Sequence, residues 1–426
     1  WSASPDACLP RRISMLSREE NELLTRVGPG TPMGELMRRY WVPVAYSGQL
    51  AAPDSAPVRA RLLGENLVVF RDTEGRVGLL DERCPHRTAS LFYGRVEERG
   101  LRCVYHGIKF DVKGNCVDVP CLPPGSSETQ IEAIKGQMRT KAYPCMERGG
   151  VVWAYLGPPE HQPEFPDLEW TRLDESQKFA TRHIQQCNWL QGVEGGFDAP
   201  HLTFLHHGSA SDQTRRVVPS FYEVVPMDFG FVVGTGRDLG GENIHWNINV
   251  MLMPFHKIIS SVPHAAHMWM PIDDENTMLY SIDFNPTGPL TEEQSERSRS
   301  WRGIHTENVP GTDHATMNKD NDYLIDRQLQ ASGKSFTGMR GLAIQDCAIQ
   351  ESMGPVADRT QEHLLACDTA VVKIRQLLLQ TLADHAAGKP LPGIDPASFR
   401  VRSTRYQAPR GAVFTDEVGK RVRADA

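Results

Sequence analysis

Two short stretches, Cys84-Pro85-His86 and Cys103-Val104-Tyr105-His106, lie sixteen residues apart in a chain of 426. Each offers one thiolate and one imidazole within a few residues. Together they supply two sulfur and two nitrogen ligands. That set suits a [2Fe–2S] cluster in which two Cys hold one iron and two His the other. Four such ligands also make a Cys₂His₂ zinc site. Further along stands Asp198-Ala199-Pro200-His201, followed by His206. Two histidines and one carboxylate make the facial triad of an oxygen-activating mononuclear iron. Zinc at the first site leaves this second His pair without a purpose. The two sites together therefore favour two unlike iron centres in one chain.

Working outward from the Cys/His loops, residues 41–158 read as short strands. Asn66–Arg71 and Val77–Asp81 flank the turn Thr73-Glu74-Gly75, and Phe110–Val112 and Cys116–Val119 flank Lys113-Gly114-Asn115. Val151–Leu156 closes the series. Turns at this spacing predict a small β-sandwich or barrel. Gly107, directly after His106, is expected to let the backbone approach the cluster because no Cβ intrudes. Ahead of this domain, residues 15–40 are expected to hold two helices. Ser17-Arg18-Glu19-Glu20 is a capping box, and Thr31-Pro32 opens a second helix running to about Tyr40. Residues 1–14 are set aside as a leader or tag remnant.

Gly157 to Pro166 is proline-rich and reads as a linker, so 159–426 forms a second domain. Asn188–Leu205 is helical in pattern. Phe221–Gly236, Ile244–Met253, Lys257–Val262 and Met278–Phe284 read as strands of an antiparallel sheet. Ile244, Trp246, Ile248, Val250 and Leu252 alternate with His245, Asn247, Asn249 and Met251, giving one apolar and one mostly polar face. Thr291–Val309 and Thr360–Ala387 read as helices. Strands and helices mix without regular βα alternation, so the fold class is α+β.

Composition narrows the function. Net charge is −7, and no clustered basic surface suggests a nucleic-acid partner. No apolar run approaches the ~18 residues of a membrane span. Nine cysteines at irregular spacing fit a reducing, cytoplasmic location rather than a disulfide framework.

His201 and His206 are five residues apart, about 140° round an ideal helix. They converge only if the helix ends or bends between them, and His206-His207-Gly208 supplies a stop. His207 is an alternative to His206 on spacing alone. Asp198, three residues before His201, is placed to accept that ligand's free ring N–H. The third ligand is not fixed by spacing: Asp320, Asp322, Asp346, Glu351, Asp358 and Asp368 are all available.

With these motifs assembled, the chain resembles the catalytic subunit of the Rieske non-heme iron oxygenases, and within them the phthalate dioxygenase branch. The resemblance rests on Leu16–Asn21, Val27–Gly34, Tyr105-His106-Gly107 with Lys109-Phe110-Asp111, Asn188-Trp189 and Asp198-x-x-His201-x₄-His206. Gln345–Ala348, Glu351–Gly354, Asp358-Arg359 and Glu362–Leu364 add to it. It spans residues 15 to 395. The family pattern implies that Cys84, His86, Cys103 and His106 hold a Rieske-type [2Fe–2S] cluster. It implies that His201, His206 and Asp346 hold a mononuclear Fe²⁺. It also implies a helix-grip-like catalytic domain and a homotrimer, or a trimer-based hexamer. There Asp198 bridges the cluster of one subunit to the iron of the next. The expected partners are an NAD(P)H-dependent flavin/iron–sulfur reductase, O₂ and a small aromatic substrate. Ile108 departs from the pattern, where Trp is usual.

The activity expected is hydroxylation of an aromatic carboxylate or aryl ether, by mono- or dioxygenation. The pocket is expected among Arg215, Arg216, Arg237, His245, Asn247, Asn249 and Met251, because a carboxylate needs a cation or several donors. The rival reading is a Rieske-type electron carrier fused to a ligand-binding domain, with a cluster but no second iron. A zinc-binding structural protein is a third.

Overall fold

The computed structural model describes residues 15–207, 217–261 and 263–423. The leader, the stop glycine Gly208, the candidates Arg215 and Arg216 and the strand end Val262 lie outside the described residues. The chain divides into two units. One holds Gly28–Gly30 and Gly34–Phe165; the other holds the chain up to Val27, Thr31–Met33 and everything from Pro166.

Two helices come first, α1 (Arg18–Thr25) and α2 (Pro32–Met37). In α1 both halves of the capping box form: the Ser17 hydroxyl accepts from Glu20 N, and the Glu20 carboxylate accepts from Ser17 N. The α2 helix stops three residues short of the expected Tyr40, in turns closed by Arg39 N to Leu36 O and Tyr40 N to Met37 O.

The first unit is built from β1 (Trp41–Tyr46), β2 (Val58–Leu62), β3 (Glu65–Arg71), β4 (Val77–Asp81), β5 (Arg95–Glu97), β6 (Gly100–Arg102), β7 (Lys109–Phe110), β8 (Cys116–Asp118), β9 (Ala142–Tyr143), β10 (Cys145–Arg148) and β11 (Val151–Tyr155), with one helix, α3 (Glu128–Gln137). Three antiparallel sheets run β1-β11-β10, β2-β3-β4-β9 and β5-β6-β7-β8. Val68, Phe70, Leu80, Leu91, Leu101 and Phe110 form a buried core that also encloses Cys84, Cys103 and Ile108.

The second unit carries an eight-stranded antiparallel sheet. Its strands are β12 (Lys178–Gln185), β13 (Phe221–Met227), β14 (Gly230–Asp238), β15 (Asn243–Leu252), β16 (His256–Ile259), β17 (His264–Pro271), β18 (Thr277–Phe284) and β19 (Thr404–Pro409). The order is β12-β18-β17-β16-β15-β14-β13, with β19 pairing the first half of β15 and β16 its second half. The helices are α4 (Trp189–Phe197), α5 (His201–Phe204), α6 (Glu292–Arg299), α7 (Arg327–Ala331), α8 (Leu342–Ser352), α9 (Thr369–Ala386) and α10 (Phe414–Arg421). The period-two reading of β15 holds: Ile244, Trp246, Ile248 and Val250 are buried while their neighbours His245, Asn247 and Asn249 are half-exposed.

Other readings needed correction. Phe221–Gly236 is a hairpin rather than one strand. It turns at Asp228-Phe229 into Gly230, where φ is +143° and a Cβ would stand 2.4 Å from Met251 O. Thr291–Val309 is helical only through Arg299, since Trp301 takes φ +57°. Thr360–Ala387 becomes helical only at Thr369. The segment before it is held by charge instead: buried Arg359 and Arg375 both bind Glu194 of α4, and Arg375 also binds Glu362. Burial by itself raises the Glu194 carboxyl, but Arg359 and Arg375 outweigh it and hold it below its ordinary range.

Candidate metal centres and the catalytic cavity

Each Cys/His loop is a closed turn on a strand end. After β4, Cys84 N donates to Ala89 O and Thr88 N to Cys84 O. Between β6 and β7, Cys103 N donates to Ile108 O and Gly107 N to Cys103 O. Gly107 has φ +76°, and a Cβ there would meet Pro120 Cγ at 2.7 Å. The glycine therefore serves the turn and its packing on Pro120. Ile108 is buried in the core beside the two cysteines.

The thiols of Cys84 and Cys103 lie buried side by side, and burial together with Cys103 pushes the Cys84 thiol up to about 11. The rings of His86 and His106 stand with centroids 4.5 Å apart at 67°. His86 Nδ1 is buried without a hydrogen-bond partner, as a nitrogen reserved for a metal would be. The four donors do not converge on one point as a zinc ion needs: among the described residues, His201, His206 and Asp346 are the one such convergent group. Ligands spread in two pairs fit a cluster of two irons.

The second centre is assembled by a helix pressed close to the sheet. Gly192 and Gly196 of α4 lie against Trp269 of β17, and Gly195 lies against Gln350 of α8. An added Cβ would stand 2.2, 2.5 and 2.2 Å from those side chains, respectively. The start of α4 is pinned too. Asn188 caps it through Leu190 N and donates to Thr25 O, while Trp189 Nε1 donates to Leu24 O. Two terminal carbonyls of α1 are satisfied in this way. The helix then ends at Asp198, and Pro200 leads into α5. His201 opens α5 and His206 follows its end, so the two imidazoles meet with centroids 4.9 Å apart. Asp198 and His201 thus lie on different helices, yet Asp198 Oδ2 lies 3.5 Å from His201 Nδ1.

The ligand atoms of His201, His206 and Asp346 lie within 4.8 Å of one another. Asp346 Oδ1 is 3.2 Å from His206 Nε2 and 3.6 Å from His201 Nε2. The neighbours fix the tautomers. Gln345 Nε2 donates to Thr337 Oγ1 and Met339 O, which leaves Oε1 as the acceptor 2.7 Å from His206 Nδ1. Nδ1 therefore carries the proton, and Nε2 presents its lone pair to the centre. Asp198 Oδ2 stands nearest His201 Nδ1, at 3.5 Å, beyond the hydrogen-bond length that Gln345 makes to His206. Two neutral imidazoles and one carboxylate fit a ferrous ion with open positions.

Three of the other candidate acids are engaged elsewhere, and Asp320 and Asp322 are not in the convergent group. Glu351 accepts from Tyr323 Oη and Gln186 N, Asp358 from Thr360, and Asp368 from Leu365 N.

A cavity of about 110 Å³ opens at this centre, lined by Asp198, His201, His206 and Asp346. Asn247 and Asn249 face it as expected. Arg237 and His245 instead line a separate cavity with Arg405 and Tyr406, and Met251 is buried outside both. The sequence reading missed Lys257, Ser260, His267 and Trp269, which line the cavity from β16, β17 and the turn between them.

The comparisons follow this geometry. Residues 40–144 match the Rieske [2Fe-2S] domain, and 246–413 match the LigXa C-terminal domain like family. The oxygenase subunit of 3-chlorobenzoate-3,4-dioxygenase from Comamonas testosteroni is 37% identical, over 96% of this chain and 99% of its own. The oxygenase subunit of phthalate 4,5-dioxygenase from Pseudomonas putida is 36% identical, over 92% of each. The solved structure of dicamba monooxygenase bound to dicamba superposes with a TM-score of 0.59 at 19% identity, covering 82% of this chain and 99% of that one; it shares the fold. The chain belongs to the Rieske non-heme iron oxygenases and, within them, to the phthalate dioxygenase-like catalytic subunits. Its cofactors are accordingly a Rieske [2Fe–2S] cluster and a mononuclear iron, and an oxygenase subunit takes its electrons from a separate reductase component. Among the described residues no helix is long and apolar enough to cross a membrane.

Proposed function

We propose that this subunit hydroxylates a small aromatic carboxylate or aryl ether at the cavity lined by His201, His206 and Asp346, with these three as the iron ligands. Cys84, His86, Cys103 and His106 are the cluster ligands. The observation that carries the reading is the convergence of two imidazoles, one with its ring proton fixed by Gln345, and one carboxylate at a cavity wall. An electron carrier has no use for such a triad. The relatives named above act on chlorobenzoate and phthalate, and another relative at 33% identity is a 5,5'-dehydrodivanillate O-demethylase subunit. When bound, the cluster supplies single electrons and the iron activates O₂.

The protein's part is placement. Gln345 holds the Nδ1 proton of His206 so that its Nε2 stays available, and Asp198, 3.5 Å from His201 Nδ1, is the acceptor placed to do so for His201. Asp198 is about one-third exposed at its side chain, so a homotrimer, or a trimer-based hexamer, allows it to accept an imidazole N–H from the neighbouring subunit's His106. The electron donor is an NAD(P)H-dependent flavin/iron–sulfur reductase, and the system is cytoplasmic. The test is turnover under ¹⁸O₂ with a surrogate reductase and a panel of aromatic acids and aryl ethers. Labelled oxygen in the product is expected, one atom or two distinguishing mono- from dioxygenation. Iron-loaded, reduced protein that labels none of the panel would contradict the assignment.

A further inference from the structure

Lys257, on β16, is the one Lys or Arg lining the catalytic cavity among the described residues. It is buried, with 7% of its surface exposed. Its ammonium donates to Gly196 O and lies 5.1 Å from the centre of the Phe197 ring. Gly196 is one residue from the end of α4, so this contact caps a terminal carbonyl, where a cation is favoured. Two residues on is Asp198, and three beyond that is His201. One cation thus touches both the space a substrate fills and the end of the helix that positions a metal ligand.

An ammonium held out of water has its largest affinity for an anion, since a charge-assisted hydrogen bond in a dry site exceeds one to a neutral carbonyl. Around it the cavity offers neutral polar groups, Asn249 and Ser260, and the aromatic wall of Trp269. A flat ring with one anionic substituent matches that pattern. Building on the function proposed above, we infer that Lys257 is the specificity-determining cation of this site. It receives the substrate's carboxylate and, through Gly196 O, transmits occupancy to the segment carrying Asp198 and His201.

The test uses full-length protein loaded with cluster and ferrous iron, without oxygen or reductase, so that binding is read without turnover. Calorimetric titration compares benzoate, 3-chlorobenzoate, phthalate and 3-phenoxybenzoate with their neutral amides. The wild type should bind at least one acid about tenfold or more tighter than its amide. Lys257→Met should abolish that preference, and Lys257→Arg should retain it. With cobalt in place of the mononuclear iron, acid binding should shift the visible absorption of the wild type but not of Lys257→Met at saturating acid. Absence of acid preference across the wild-type panel overturns the inference, as does its survival in Lys257→Met. If the Met variant does not load metal, loss of the preference in a loaded Lys257→Arg overturns it equally. A wild type that loads no iron at His201, His206 and Asp346 would instead sink the functional reading beneath.

Discussion

His206 presents Nε2 to the metal position because Gln345 occupies Nδ1, and Gln345 is itself locked by Thr337 and Met339. Gln345→Leu keeps the volume and removes the acceptor. It should weaken iron binding by about 10- to 100-fold, measured by chelator competition; unchanged affinity would mean the tautomer is set elsewhere. The cluster pairs were readable from sequence because each Cys and His lies within one turn. The Gln345–His206 link joins residues 139 apart in sequence, so only the resemblance pointed to that region, and Lys257 and His267 gave no local signal at all. Two further buried histidines matter for stability: burial pushes His256 down to about 3 and His183, which bonds Cys347 Sγ, to about 4. Unfolded, each titrates near its ordinary value of about 6.5. Between those limits the unfolded chain binds more protons, so stability is complete above about pH 6.5 and falls on acidification. From pH 7 to 5.5 the two should cost about 2–3 kcal/mol, read from denaturant midpoints. His256→Leu should remove about half of that slope; an unaltered slope would show that His256 is not buried neutral.

At the scale of elements, α4 sets the geometry of the centre, and its glycines set α4. Gly196→Ala brings a Cβ to 2.5 Å from Trp269 Cη2, overpacking of the kind that costs about 1–3 kcal/mol. The helix must move, and His201 moves with it, so iron content should fall along with the melting temperature. Trp269→Leu in the same chain should restore part of both; no restoration would place the fault outside this contact. The α4 and β15 elements were legible because one has a capping Asn and the other a clean alternation. The α8 helix, which carries Asp346, was not. Leu342, Ala343, Ile344, Gln345, Cys347, Ala348 and Gln350 are all buried, and a helix buried on nearly all sides shows no stripe to detect. The strands β12, β17 and β19 escaped for a related reason: charged, histidine-rich or proline-ended segments pair in a sheet when their neighbours supply the ladder.

At the scale of the whole molecule, the proposed function needs two metal centres with different tasks in each chain, with electrons passing through Asp198 from the cluster of one subunit to the iron of the next. Asp198→Asn should leave both centres loaded while coupled product formation is lost; normal turnover would refute the bridge. The most direct test is metal accounting on anaerobically purified protein, by iron analysis with electron paramagnetic resonance of the reduced cluster. The account predicts about three irons per chain, two in a Rieske cluster and one apart from it. Asp346→Asn should then lose one iron and keep the cluster signal, and Cys103→Ser should lose that signal and keep the lone iron. A chain that never holds iron outside its cluster, or an Asp346→Asn variant that keeps the third iron in place, would contradict it.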